Sequence, residues 1–215
     1  MMNRVIPLTV VLVILTSCKD SPTTIGSTNS PISAPSRNLP ATEIMKLEGI
    51  TSMHFTEYYH VTVNGHADTG FTAQFEYHID TLHLRMNQYY LGTPNWNISV
   101  YDLRNDIAWN YYSGQLTFPH LPDLRRAYEQ DVQAFLGGWL SNTQSYVRAE
   151  YVNDKLCDVF TDSTGTLEWV WREHRLPIQH RIESTYNNIH QITYRQNRDI
   201  QLNITFPDSL FTPPR

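Results

Sequence analysis

Histidine, carboxylate and arginine side chains gather between Glu76 and Arg85. If Asp80-Thr81 is a two-residue turn between strands, His78 faces His83 and Glu76 faces Arg85. Two opposed imidazoles beside a carboxylate have the donor types of a zinc site. The same residues also suit a solvated strand face with one cross-strand ion pair, worth well under about 1 kcal/mol. The sequence favours that plainer arrangement. His54, Tyr58 and His60 fall on another outward face and offer no better ligand set. Motifs for nucleophilic hydrolysis, phosphate binding or thiol chemistry are missing: there is no G-x-S-x-G, H-E-x-x-H, phosphate-binding glycine loop or Cys-x-x-Cys. The expectation is a protein that is not an enzyme and uses no cofactor and no metal.

The remaining reactive groups are two cysteines. Cys18 follows Arg4 and an apolar run from Val5 to Leu15 that only Pro7 and Thr9 interrupt. That run is too short to span about 30 Å of hydrocarbon as a helix and has the layout of an export signal. Leu15-Thr16-Ser17-Cys18 resembles the bacterial lipobox. The resemblance implies a signal peptide over residues 1–17 and a membrane anchor of palmitate-type acyl chains on Cys18. Each buried methylene contributes about 0.8 kcal/mol to such an anchor. Lys19, where Asp would retain a lipoprotein in the inner membrane, implies a lipid-anchored place in the cell envelope at the outer membrane. Whether the protein faces the periplasm or the surface stays open. Cys157 is then alone, so no internal disulfide forms, and it reads as a small buried hydrophobe. A formal charge of -5 over 215 residues lacks the basic stripe of a nucleic-acid binder.

Residues 19–42 hold 13 Ser, Thr or Pro among 24 positions and no aromatic. They cannot offset the entropy of ordering, so residues 18–42 are expected to be a disordered tether below the lipidated cysteine. All 13 Tyr, 8 Phe and 5 Trp lie beyond it, which gives residues 43–215 the material for one folded domain.

That domain reads as antiparallel strands. Phe71, Ala73, Phe75, Tyr77 and Ile79 alternate with polar residues, and Leu82, Leu84 and Met86 do the same. With Asp80-Thr81 as the turn, Tyr77 faces Leu84 and Phe75 faces Met86. Trp96, Ile98 and Val100, then Ile107, Trp109 and Tyr111, form the next pair. Asn64-Gly65 marks an earlier hairpin. Its register mixes the faces unless a bulge lies near Asp68-Thr69-Gly70; corrected, Phe55, Tyr59, Val61 and Val63 point inward together with Glu57. After Pro122, Leu124, Tyr128, Val132, Phe135, Leu136 and Trp139 recur at helical spacing. Further strands fit 146–152, 156–161, 167–171, 178–184, 188–194 and 200–204, with a short helix at 43–48. The expected fold is mainly β (α+β): about ten strands and one or two helices, without the alternation that makes a parallel sheet.

The C-terminal third carries a family resemblance. Lys155-Leu156-Cys157-Asp158-Val159-Phe160, Trp169-Val170-Trp171 and Leu176-Pro177-Ile178 are similar to the hairpin, tryptophan strand and leucine-proline run of the LolA/LolB-like superfamily. Residues 189–194, Asn203, Phe206-Pro207-Asp208, Leu210-Phe211 and Pro213 resemble its closing strands, and Leu47 to Phe55 its first helix end and strand. The resemblance implies a curved antiparallel half-barrel with helices as a lid over a hydrophobic cavity. Phe71, Phe75, Tyr77, Trp96, Trp109, Tyr111, Trp169 and Trp171 are the candidate cavity lining. Leu124, Tyr128, Val132 and Phe135 are the candidate lid. The function so implied is binding of a lipid, a lipoprotein acyl chain or another amphiphile. The alternative is a ligand-free envelope sensor or scaffold of the same fold, its interior filled, that contacts a protein partner.

Overall fold

A computed structural model describes residues 31, 39–90, 96–136 and 145–214. The lipidation candidate Cys18 and nearly all of the tether lie outside them. The described residues form one open antiparallel sheet of eleven strands and two α-helices. In chain order these are α1 (Ala41–Leu47), β1 (Ser52–Val63), β2 (His66–Asp80), β3 (His83–Tyr90), β4 (Trp96–Asp102), β5 (Ile107–Tyr112), β6 (Gln115–Thr117), α2 (Leu124–Leu136), β7 (Ser145–Val152), β8 (Lys155–Thr161), β9 (Leu167–Trp171), β10 (Leu176–Tyr186) and β11 (Ile189–Leu202). None of the described helices is long and apolar enough to cross a membrane.

Spatial order runs β6-β5-β4-β3-β2-β1-β11-β10-β9-β8-β7. Every neighbour is a chain neighbour except β1 and β11, which join the two halves at the centre. The outer strands are therefore β6 and β7, and α2 lies between them in sequence. A connection from one edge to the other must pass over a face of the sheet. The sequence of α2 supplies the face that meets it: Leu124, Tyr128, Val132 and Leu136 recur every four residues and are all buried. Asp123 caps the helix, its Oδ1 accepting the Arg126 amide at 2.9 Å. The shorter α1 ends at Gly49 (φ +68°), where the Gly49 and Ile50 amides bond back to the Lys46 and Met45 carbonyls.

The two helices touch each other and share one face. Thr42 of α1 donates through its hydroxyl to Glu129 at 2.8 Å, and Gln133 donates to the Leu39 carbonyl at 3.1 Å. Beneath them lies the main core: Ile44, Met45, Phe55, Tyr77, Ile79, Leu84, Tyr128 and Val132. We call this the inner face. A second layer covers part of the opposite, outer face. After β11 the chain turns at Asn203, whose side-chain oxygen accepts the Thr51 amide at 2.7 Å. It then runs across β3–β5 as a strap, with Phe206, Leu210 and Phe211 packed around Ile98, Val100 and Trp109.

Of three strand readings, two differ from the expectation and one agrees with it. The β2–β3 turn lies one residue further on, at Thr81-Leu82: Ile79 pairs with Leu84, Tyr77 with Met86 and His78 with Arg85. Asp80 holds the turn there, because its Oδ1 accepts the Leu82 and His83 amides at 2.7 and 2.8 Å. The shift is two residues, so each residue keeps its face but changes its partner. The irregularity in the first hairpin lies at the expected place: Tyr59 pairs with Ala73 but Val61 with Asp68. Finally, the two strands expected over 188–194 and 200–204 are replaced by one continuous strand, β11, which ends at Leu202. An extra residue at Asp199 (φ +55°) bulges out opposite His54 and Thr56 and breaks the alternation that the sequence shows.

Candidate functional site

Between α2 and the inner face of β2–β4 lies a cavity of about 240 Å³. Its floor follows from strand parity: Tyr77 on β2, Leu84 and Met86 on β3, and Ser99 and Tyr101 on β4, each cross-paired with the next. Phe135 of α2 forms the roof, with its ring centroid 4.4 Å from that of Tyr77 and 5.8 Å from that of Phe55. On the far side of Phe135 is a crevice of about 10 Å³ lined by Met53, Phe55, Leu176 and Asn197. Phe135 is common to the linings of both spaces.

The polar groups of the cavity are Ser99, Asp131 and the hydroxyls of Tyr77 and Tyr101. Asp131, exposed on α2, accepts a hydrogen bond from the Tyr101 hydroxyl, and burial followed by this carboxylate pushes the Tyr101 hydroxyl up to about 12. Burial, more than the charge of Glu57, raises the Tyr77 hydroxyl as well. Both phenols therefore stay protonated donors. The site consists of apolar walls, a Ser99 hydroxyl, and a carboxylate–phenol pair at the mouth. It holds an elongated apolar group better than it activates a nucleophile.

The expected lining residues divide among four places. Tyr77 lines the cavity, and Phe75 packs against the same core. Trp169 and Trp171 pack in a neighbouring cluster with Cys157, Val159 and Ile178, where Trp169 donates through Nε1 to Glu150. Trp109 and Tyr111 pack instead with the strap, and Trp109 Nε1 donates to the Phe211 carbonyl at 2.9 Å. They pair with Val100 and Ile98, while Ser99 and Tyr101 point to the cavity, so their assignment to the lining is corrected by one strand face. The side chains of Phe71 and Trp96 lie outside the described residues. Of the lid candidates, Leu124, Tyr128 and Val132 are fixed in the core. Tyr128 also donates to the Asp80 carbonyl. Only Phe135 among them reaches the cavity.

His83 likewise leaves the position expected for it. It lies between Asp80, 3.0 Å from Nδ1, and Asp102, 3.5 Å from Nε2, with its ring stacked on Phe211. His78 is opposite His54 and Arg85 instead.

No family model matches this chain, and no curated protein does. Solved structures do. A DUF1329 family protein from Desulfovibrio piger is 10% identical with a TM-score of 0.37, over 80% of this chain and 94% of that one. MucB is 12% identical with a TM-score of 0.43, over 80% of this chain and 60% of that one. An outer membrane lipoprotein-sorting protein domain from Vibrio parahaemolyticus is 8% identical with a TM-score of 0.30, over 79% of this chain and 95% of that one.

Ser99, Tyr101, Met86 and Asp131 were absent from the expected site. Leu84 and Met86 were legible as inward-facing, and carrying their parity one strand further selects Ser99 and Tyr101. The more conspicuous aromatics Trp96 and Trp109 drew the assignment away from them.

Proposed function

We propose that this chain is the amphiphile-binding component of a cell-envelope lipoprotein, anchored at the outer membrane through acyl chains on Cys18. The anchor rests on the sequence of residues 1–18. The binding function rests on one observation, the 240 Å³ cavity walled by Tyr77, Leu84, Met86 and Phe135. Its volume falls just below the roughly 300–1,000 Å³ of ordinary small-molecule sites. It fits one acyl chain end, and turning Phe135 would join it to the crevice beside Asn197 and lengthen it. Each methylene so buried stabilises the complex by about 0.8 kcal/mol. The rest of α2 stays in place, held by Tyr128, Val132 and its bonds to α1.

Asp131 at the mouth sets the headgroup. A free fatty acid would bring a second carboxylate to it, whereas a neutral or cationic headgroup with N–H or O–H donors would be welcomed. The ligand class is therefore a neutral or cationic acyl amphiphile, a lipid or the acylated end of a lipoprotein.

The test is uptake of a fluorescent acyl probe with an uncharged headgroup by the full-length protein. Met86→Trp fills the cavity and is expected to weaken uptake at least tenfold while the melting temperature holds. Equal uptake by a folded Met86→Trp variant would rule the cavity out. Absence of uptake by the unaltered protein would leave the interior as plain core and favour an envelope interaction module.

A further inference from the structure

We propose that His54, Glu76 and His78 form a zinc-binding site on the outer face of β1 and β2. This site is independent of the cavity and lies on the opposite side of the sheet.

The backbone register creates it. His54 and His78 are directly paired across β1 and β2. Glu76 is two residues from His78 and so points to the same face. His54 Nε2 lies 3.2 Å from Glu76 Oε1, and His78 Nε2 lies 3.8 Å from the same oxygen. All three ligand atoms lie within 4.8 Å of one another. Zinc bonds of about 2.0–2.2 Å in tetrahedral arrangement place ligand atoms about 3.3 Å apart. Small side-chain rotations meet that requirement. An ordinary ion pair needs one imidazole on one carboxylate, but here two imidazoles converge on a single oxygen.

The surroundings are those of a ligand set. Asn87 Nδ2 donates to the other carboxylate oxygen, Oε2, at 2.7 Å, and Tyr89 reaches it at 3.4 Å. This fixes the carboxylate and leaves Oε1 free to ligate, as outer-shell partners of metal ligands do. Among the described residues His78 Nδ1 has no hydrogen-bond partner, and Nε2 is the nitrogen that faces Glu76. The Phe206 ring of the strap stands edge-on to His78, its centroid 5.4 Å away, and covers one side of the site. Arg85, paired with His78 across β2 and β3, brings a positive charge beside the cluster. It is drawn aside, with Nε donating to Asn87 at 2.9 Å and Nη1 to the Leu210 carbonyl. Three protein ligands with one face open leave a fourth position for water. Two imidazoles and one carboxylate suit zinc and not calcium or magnesium, which demand more oxygens.

Zinc alone, titrated into the full-length protein against a chromophoric chelator, tests this. One equivalent is expected to bind. His54→Gln and Glu76→Gln should each weaken it at least tenfold, while His60→Gln, whose ring stacks on Tyr194, should leave it unchanged. The unaltered protein gives a second measurement that needs no variant. One equivalent of zinc should shift the ring resonances of His54 and His78 and leave those of His180 and His190 in place. No binding, several weak equivalents, binding that survives Glu76→Gln, equal binding of calcium, or unshifted His54 and His78 rings would overturn the site.

Discussion

Glu57 projects from β1 to the inner face beside Phe75 and Tyr77 and is only 4% exposed. Among the described residues its buried Oε2 has no hydrogen-bond partner. Burial raises its pKa above the usual 4.5, with the Arg195 charge pulling the other way. The folded protein thus holds this proton in a window just above pH 4.5 in which the unfolded chain has lost it. Stability from this residue is present below pH 4.5 and is lost as pH rises through the folded value. Glu57→Gln is therefore expected to stabilise the fold at pH 7, on the order of 1 kcal/mol, and to give no gain below pH 4.5. Thermal melts at pH 4 and pH 7 check this. His78 and His180 act in the opposite direction, because burial first of all lowers each to about 4. The unfolded chain binds those protons first, so their share of stability is lost as pH falls from about 6.5 towards 4.

At the scale of elements, the strap and α2 explain what was legible in the sequence and what was not. Alternation identified most strands, and the i, i+4 spacing from Leu124 to Leu136 identified α2. Alternation alone could not say which face of β4 and β5 was inside, because both faces are covered: Ser99 and Tyr101 by the cavity and α2, Val100 and Trp109 by the strap. A polar stripe marks the outside only where water touches it. Strand alternation placed Glu76 and His78 on one outward face, but the sequence did not set His54 opposite His78, because the first hairpin carries an irregularity whose length alternation leaves open. The strap and the cavity are separable by mutation. Phe211→Ala is expected to cost about 3–5 kcal/mol of stability, seen in denaturant unfolding, and to leave acyl-probe uptake by the folded fraction unchanged. Phe135→Ala, which removes the wall between the cavity and the Asn197 crevice, is expected to cost less stability and to increase uptake of longer acyl chains.

At the scale of the whole molecule, the order of the sheet dictates the site. A meander whose ends are joined at its centre by β1 and β11 leaves β6 and β7 at opposite edges, and the chain between them carries α2 over the inner face. The helix is anchored along one stripe and by α1, and the space under Phe135 lies beside that stripe. Whether it holds a ligand is the central question. Native mass spectrometry of the full-length protein, with organic extraction, answers it most directly. We expect a reproducible co-purified acyl amphiphile with a neutral or cationic headgroup, lost in the Met86→Trp variant. A clean unliganded mass, or the same bound molecule in Met86→Trp, would contradict binding in this cavity.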